Sequence, residues 1–354
     1  MSKHEVKVVR ISEIKPHLNA DNLELTNIWG YQCVIRKGDY KLGDLAAFIE
    51  PDYECNVTEP AFSFLNDGRT EWKRITVKKI RGESSYGLLI GAPEGSKEED
   101  NVIDLLKVRR WEPKPPPKNG MDIGICCSGP KYHVPIYDLE NYKKYYSLFE
   151  DGEMVILQEK IHGTNSRFVF DGEKMFCGSR TTWKMEPETH VKDIQYLDED
   201  GKEIIKAIKA PNNIWWQALK QNQWIESWCR NHPNMVLYGE IYGPNIQGKE
   251  FHYGKKQGEY GFAAFDIFNS GRWIDCVDML YNPVYCEGLV EHVPVVYHGS
   301  FDMETLEDLA EEKSTFQGQK VREGIVIRPE RERTNNKTGR TVLKYVSDFY
   351  LMMK

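Results

Sequence analysis

Lys160 closes the run Met154-Val155-Ile156-Leu157-Gln158-Glu159-Lys160 and is followed by Ile161-His162-Gly163-Thr164-Asn165. The run reads as a buried strand, and an ammonium at the end of one is costly to bury unless it is paired or neutralised. Such a lysine becomes a nucleophile if its pKa is drawn well below the ~10.4 of the free side chain. The glycine three residues on lets the chain turn closely past a ligand. The alternative is a solvated strand end with His162 capping the turn. Lys-x-His-Gly alone does not decide between the two.

A nucleophile at a strand end needs sheet partners. Beyond residue 130, strands alternate with helical stretches, which predicts a mixed α+β domain entered by a short helix near Leu139–Ser147. Ile214, Trp215, Leu219, Trp224, Ile225 and Trp228 recur at helical spacing and read as core packing rather than base stacking. The amino-terminal part has a different rhythm. Short strands at Val6–Ile11, Glu24–Trp29, Gln32–Arg36 and Ala46–Ile49, and the stretch Lys73–Gly91, are separated by turns such as His17–Leu23, Gly30 and Lys37-Gly38-Asp39. That even spacing predicts a small barrel. Between the two parts, the proline-rich Glu112–Gly120 cannot pair in a sheet and reads as a linker. The domain plan is thus a barrel over 1–111, a connection over 112–129 and the α+β domain over 130–354.

A length of 354 residues accommodates two domains. With 40% hydrophobic and 29% charged residues, the composition is that of a soluble globular protein, not a disordered or membrane one. No apolar run approaches the ~18 residues of a membrane span. The start Met1-Ser2-Lys3-His4-Glu5 lacks the apolar stretch of a secretory signal. The expected location is cytoplasmic or nuclear. Eight cysteines without a Cys-x-x-Cys pair point to neither zinc nor a disulfide framework, and fit a reducing compartment. A net charge of −7 counts against nucleic acid unless basic residues cluster locally. Lys73-Arg74, Lys78-Lys79 and Arg81, beside Trp72 and Tyr86, form one such cluster, and Arg328, Arg331, Arg333, Lys337 and Arg340 another. Each could track phosphates, with a solvated face as the equal alternative.

Further segments, in order, extend the case. Lys160-Ile161-His162-Gly163 resembles the nucleophile motif of the RNA ligases within the covalent nucleotidyltransferase superfamily. Gly178-Ser179-Arg180 resembles the family's arginine motif, and Leu237–Gly243 the strand carrying a glutamate, here Glu240, to the ribose and metal region. Phe262–Ile267 resembles the segment whose Phe-Asp pair, here Phe265-Asp266, gives adenine an aromatic platform. Glu323–Arg328 resembles a further strand with an inward glutamate, and Val342-Leu343-Lys344-Tyr345 the last motif, whose lysine meets the α-phosphate. Many relatives have Lys-x-Lys there, whereas Val346 stands two positions after Lys344, so Lys344 acts alone or Arg340 compensates. With His-x-x-Ala-Asp-x-Leu at His17–Leu23, the amino-terminal part resembles an oligonucleotide-binding (OB) barrel. The whole looks most like the nick-sealing RNA ligases of the Deinococcus and Naegleria type.

The resemblance implies an α+β fold: an OB-like barrel followed by a nucleotidyltransferase domain of antiparallel sheets with flanking helices. It implies Lys160 as the nucleophile toward the α-phosphate of ATP, with Arg180 and Lys344 as cations on the transferring group. Glu159 would accept from the adenine amino group, and Asn165 and Phe265 would contact the nucleotide. His162, Glu240 and Glu323 would hold Mg²⁺ or Mn²⁺ through its waters. The expected partner is RNA with 3′-OH and 5′-phosphate ends, as a nick in a duplex, and the expected state is a monomer with no protein or membrane partner. A capping guanylyltransferase uses the same lysine chemistry, but it resembles a catalytic domain followed by an OB module, and only ten residues follow Lys344 here. A DNA ligase and a non-catalytic RNA-binding protein are the remaining alternatives.

Overall fold

The computed structural model describes residues 4–111, 124–197, 203–247 and 251–353, so the Glu112–Gly120 tract lies outside the described residues. The chain forms two compact units, one of residues 1–114, 139–150 and 343–354, the other of 115–138 and 151–342.

The first unit is built from short antiparallel strands. Lys7–Arg10 and Leu88–Gly91 flank Leu45–Ile49, and Leu23–Ile28 pairs with both Lys15–Pro16 and Tyr31–Arg36. Leu45–Ile49 is buried on both faces, and its alternating residues feed two apolar clusters, Ala47 and Ile49 one with Val8 and Phe62, Ala46 and Phe48 the other with Ile11 and Tyr86. Sequence reading places 139–150 and 343–354 in the second domain; the fold groups them with the barrel. Gly30 N–H donates to the Lys143 carbonyl at 2.7 Å, and Lys144 pairs with Glu50 at 2.6 Å. Glu140–Asn141 runs parallel to Leu343–Val346, with Asn141 opposite Lys344. The expected helix at Leu139–Ser147 is instead this strand and two 3₁₀ turns, Tyr142–Lys144 and Tyr146–Leu148. The Asn141 side chain accepts from Lys143 N–H and closes the first turn before a helix can propagate.

The second unit carries a seven-stranded sheet in the order Cys126–Cys127, Trp183–Lys184, Met175–Ser179, Thr164–Phe170, Val236–Tyr242, Gly261–Asn269, Arg272–Trp273. Each neighbouring pair in it is antiparallel. Helices Ile214–Gln221 and Trp224–Asn231 cover its apolar side, the first capped by Asn213, whose side chain accepts from Trp216 N–H. Trp215, Trp216 and Trp228 are buried in that core, as the helical spacing predicts. Elsewhere in the unit, Met154–Lys160 lies between Val295–Ser300 and Gly324–Pro329, antiparallel to both. Its residues Val155 to Glu159 are all buried, the burial expected for a strand covered on both faces. No helix of the described residues is long and apolar enough to cross a membrane.

Candidate active site

The Met154–Lys160 strand ends with Lys160 opposite Gly324, which sets the preceding residue, Glu323, beside the amine. Lys160 Nζ lies 2.8 Å from Glu323 Oε1, and 24% of the lysine side chain remains open to solvent. Glu240 completes the group from the Val236–Tyr242 strand. A Cβ at Gly163 would collide with the Ile241 carbonyl and stand 2.8 Å from Glu240 Cγ, so only glycine lets the chain pass this strand so closely. The gain is a backbone hydrogen bond, since Gly163 N–H donates to Glu240.

Two carboxylates around one ammonium set the electrostatics. Burial works against the Lys160 charge, but Glu323 and Glu240 outweigh it and hold its pKa above the usual lysine value. This corrects the expectation of a depressed lysine: the protein alone keeps Lys160 as an ammonium. Glu240 shows the complement. Burial pushes its carboxyl up to about 8, Lys160 pulling down and Glu323 adding to the rise. Near neutral pH Glu323 pairs with the ammonium and Glu240 is largely protonated, so a divalent cation bound here would draw Glu240 into its charged form and meet two carboxylates. Among the described residues no three His, Cys, Asp or Glu side chains are grouped to chelate an ion directly, so such an ion would be held through its waters.

His162 is buried against Phe251, with ring centroids 4.5 Å apart. Its Nε2 lies 3.2 Å from the Gln247 carbonyl, which can only accept, so the proton sits on Nε2 and Nδ1 faces Glu323 Oε2 at 4.0 Å. Its backbone N–H donates to Tyr253 Oη at 2.7 Å. Asn165 lies opposite Glu240 in the sheet, and its Oδ1 is buried without a hydrogen-bond partner, an orphaned acceptor where a ligand's donor would fit.

Other expected residues are placed differently. Arg180 is exposed just past the Met175–Ser179 strand and meets Asp138 at 3.3 Å. Phe265 is half-buried, 4.6 Å from the Tyr137 ring, at a bulge in the pairing of Gly261–Asn269 with Val236–Tyr242, where Tyr238 pairs with Asp266 and Gly239 with Ala264. Glu159 is buried and its carboxylate is engaged. Oε1 accepts from Ser314 Oγ at 2.5 Å, Oε2 accepts from Thr315 N–H and Oγ1 at 2.8 Å each, and Arg322 Nε stands 3.5 Å away. An adenine amino group would have to compete with these donors. Lys344, half-buried on Leu343–Val346, belongs to the first unit.

The second basic cluster is corrected in part: Arg328, Arg333 and Arg340 are taken up by carboxylates, while Arg331 and Lys337 remain exposed. Arg328 is 1% exposed and bonded to the Phe265 carbonyl, Asp266 and Glu332, while Arg340 meets Asp266 at 2.9 Å and lies over Trp273. Arg333 pairs with Glu153 at 2.8 Å, and Arg331 with Asp275 at 3.1 Å. These guanidiniums tie the fold together, and Arg340 is bound through Nε and Nη2 to Glu332 and Asp266. Tyr86, read as a neighbour of the first cluster, is buried in the barrel core. Tyr253, Ser314, Thr315 and Arg322 had not been singled out. They are remote in sequence from the residues they touch, so no local spacing announces them.

An OB-fold barrel followed by a nucleotidyltransferase domain is the class that this fold and lysine–carboxylate site define. An OB-fold domain model matches residues 5–92, and the RNA ligase model matches residues 153–346, more than half of the chain. The protein belongs to the RNA ligase family. No curated protein matches it in sequence. Among solved structures it is similar to the Naegleria gruberi RNA ligase. A variant of that ligase with ATP and Mn matches at TM-score 0.77 and 22% identity, over 99% of each chain. The same ligase with PPi matches at 0.72 and 22%, over 99% of each chain. A further variant with AMP and Mn matches at 0.74 and 22%, over 99% of this chain and 98% of that one.

Proposed function

We propose that the chain seals 3′-OH/5′-phosphate RNA ends, at nicks in duplex RNA, with ATP as the energy source and Lys160 as the covalent carrier of AMP. The observation that carries this reading is the Lys160–Glu323 contact of 2.8 Å at the mouth of a buried strand, inside the stretch matched by the RNA ligase family. The ATP, AMP and Mn in the Naegleria gruberi structures support the choice of nucleotide and metal.

The first step forms a bond between Lys160 Nζ and the α-phosphorus as the bond to the β-phosphate oxygen breaks, and pyrophosphate departs. In the second, the RNA 5′-phosphate attacks that phosphorus and takes AMP. In the third, the 3′-hydroxyl attacks the activated 5′-phosphate and AMP leaves. All are phosphoryl displacements, so one cationic pocket serves them in turn. Bound Mg²⁺ or Mn²⁺, held through its waters by Glu240, Glu323 and His162, would supply the positive charge that frees the Lys160 amine and neutralises phosphoryl oxygens. Glu323, in contact with Nζ, orients the amine and stands ready for its proton. Asn165 offers its orphaned Oδ1 to the nucleotide, and Arg180 and Lys344 are the cations for the phosphates. Phe265 provides an aromatic face for adenine.

Sealing of a singly nicked RNA duplex in the presence of ATP and Mn²⁺ tests this. The wild type should join the strands and Lys160→Ala should not, and an all-DNA nick should be sealed far more slowly. Equal sealing of the all-DNA nick would overturn the RNA assignment, and sealing by Lys160→Ala would overturn the mechanism. A monomer in a reducing compartment, cytoplasm or nucleus, completes the reading; eight cysteines that form no disulfide support the compartment.

A further inference from the structure

Away from the lysine pocket, two segments of the barrel unit are clasped to each other. The turn after Lys15–Pro16 begins with His17, which is buried; its Nδ1 accepts from Asn19 N–H at 3.1 Å, and its Nε2 lies 3.1 Å from the Ile80 carbonyl. Since that carbonyl can only accept, Nε2 carries the proton and donates. Asn19 Nδ2 then donates to the Arg81 carbonyl at 3.3 Å. Ile80 and Arg81 belong to a hairpin in which Lys78–Ile80 pairs with Glu83–Ser85 across Arg81-Gly82.

The clasp presents Leu18, 84% exposed, next to a hairpin whose Lys78, Lys79 and Arg81 are all exposed. Among the described residues none of these cations forms an ion pair, whereas Lys73 and Arg74 of the same stretch are taken up by Asp67 and Asp52. Within these two segments the acidic residues are Asp21 in the turn and Glu83 in the hairpin, the latter accepting from Gln32 Nε2 at 3.2 Å. The tip is therefore locally positive on a chain of net charge −7. Its turn is also built against local preference. Arg81 has φ 52° and Gly82 φ 101°, a two-residue left-handed turn whose first position favours Asn or Gly, so an arginine is kept there at a cost in backbone strain. The turn holds the Arg81 side chain out at the hairpin tip beside Lys79.

We infer that this tip is an RNA-binding contact, with Lys78, Lys79 and Arg81 on backbone phosphates and Leu18 against riboses in the shallow minor groove of the duplex. The inference rests on the RNA ligase reading and adds to it the surface that grips the substrate. The first basic cluster is thereby divided: Lys73 and Arg74 stabilise the fold, and the hairpin cations meet RNA.

The test uses the full chain and a fluorescent nicked RNA duplex, with affinity measured across a salt series and AMP transfer to Lys160 measured in parallel. The triple variant Lys78→Ala, Lys79→Ala, Arg81→Ala should lose roughly tenfold to a hundredfold in affinity near physiological salt, and its salt slope should fall by about 2–3. Arg81→Asn should weaken binding several-fold while melting no lower than the wild type, because the turn is relieved. Leu18→Ser should weaken binding with the salt slope unchanged. AMP transfer should be unaltered in all of them. Unchanged RNA affinity and slope in the triple variant would overturn the inference, whatever other partner, a protein included, then uses the tip. Failure of the wild type to accept AMP would instead sink the ligase reading, so the two are separable.

Discussion

Lys160 is held by charges that the proposed AMP transfer has to offset. Glu323 and Glu240 keep it protonated against the pull of burial, and the same burial leaves Glu240 with a pKa of about 8. A carboxyl raised from its ordinary 4.5 contributes stability that is complete below that value and is lost as pH rises through about 8. Without nucleotide or metal, Glu240→Gln should therefore melt higher than the wild type at pH 8.5, by a few degrees, and by clearly less at pH 5.5. Mn²⁺ should raise the melting temperature of the wild type and do little for the variant. Thermal denaturation at the two pH values checks both, and an equal gain at each would mean that Glu240 is ionised throughout. Lys160 stands out in the sequence because a lysine ending an apolar strand is rare. Its protonation state was not legible, because that depends on carboxylates 80 and 163 residues further along the chain.

At the scale of the strand pair, Gly163 decides how closely Thr164–Phe170 can lie against Val236–Tyr242. A methyl group there meets the Ile241 carbonyl and Glu240 Cγ, and forcing it in costs ~1–3 kcal/mol. Gly163→Ala should lower the single-turnover rate of AMP transfer by about a hundredfold, since a ~1 Å displacement of reacting groups has that effect. A rate within threefold of wild type would show that the close approach is incidental to the chemistry. In the amino-terminal part the strands were readable from alternation and Gly/Asp turns, and the tryptophan-bearing stretch read as helical, though its division into two helices did not show. The segment Leu139–Ser147 was not readable. It has apolar and aromatic residues at helix-compatible spacing, but Asn141 closes a turn at its head and the chain is spent in short 3₁₀ pieces. Phe265 shows a similar limit: its strand was evident, while the bulge that sets its direction follows from pairing with a distant partner.

Over the whole molecule, most charges lie at the surface, and a few buried ones tie the fold together. Arg328 and Arg340 share Glu332 of their own segment and Asp266 from a distant strand in a buried cluster. Asp266→Ala would leave two guanidiniums undercompensated at ~3–5 kcal/mol, and should lower the melting temperature by about 10 °C. A drop of under two degrees would mean that Glu332 alone suffices. A list of basic residues could not separate this cluster from the hairpin at Lys78–Arg81, because carboxylates brought in by the fold distinguish a structural arginine from one left to meet a phosphate. Of the family's motif residues, Lys160 and Glu240 lie on strands and Glu323 just before one, where they meet, whereas Arg180, Phe265 and Glu159 are engaged with other groups. The motifs lead to one claim, that Lys160 carries AMP. Peptide mapping by mass spectrometry of the full chain after incubation with ATP and Mn²⁺ tests it most directly: an acid-labile AMP adduct on the peptide containing Lys160 is expected, and an adduct confined to any other residue, or none under conditions where RNA is joined, would contradict it.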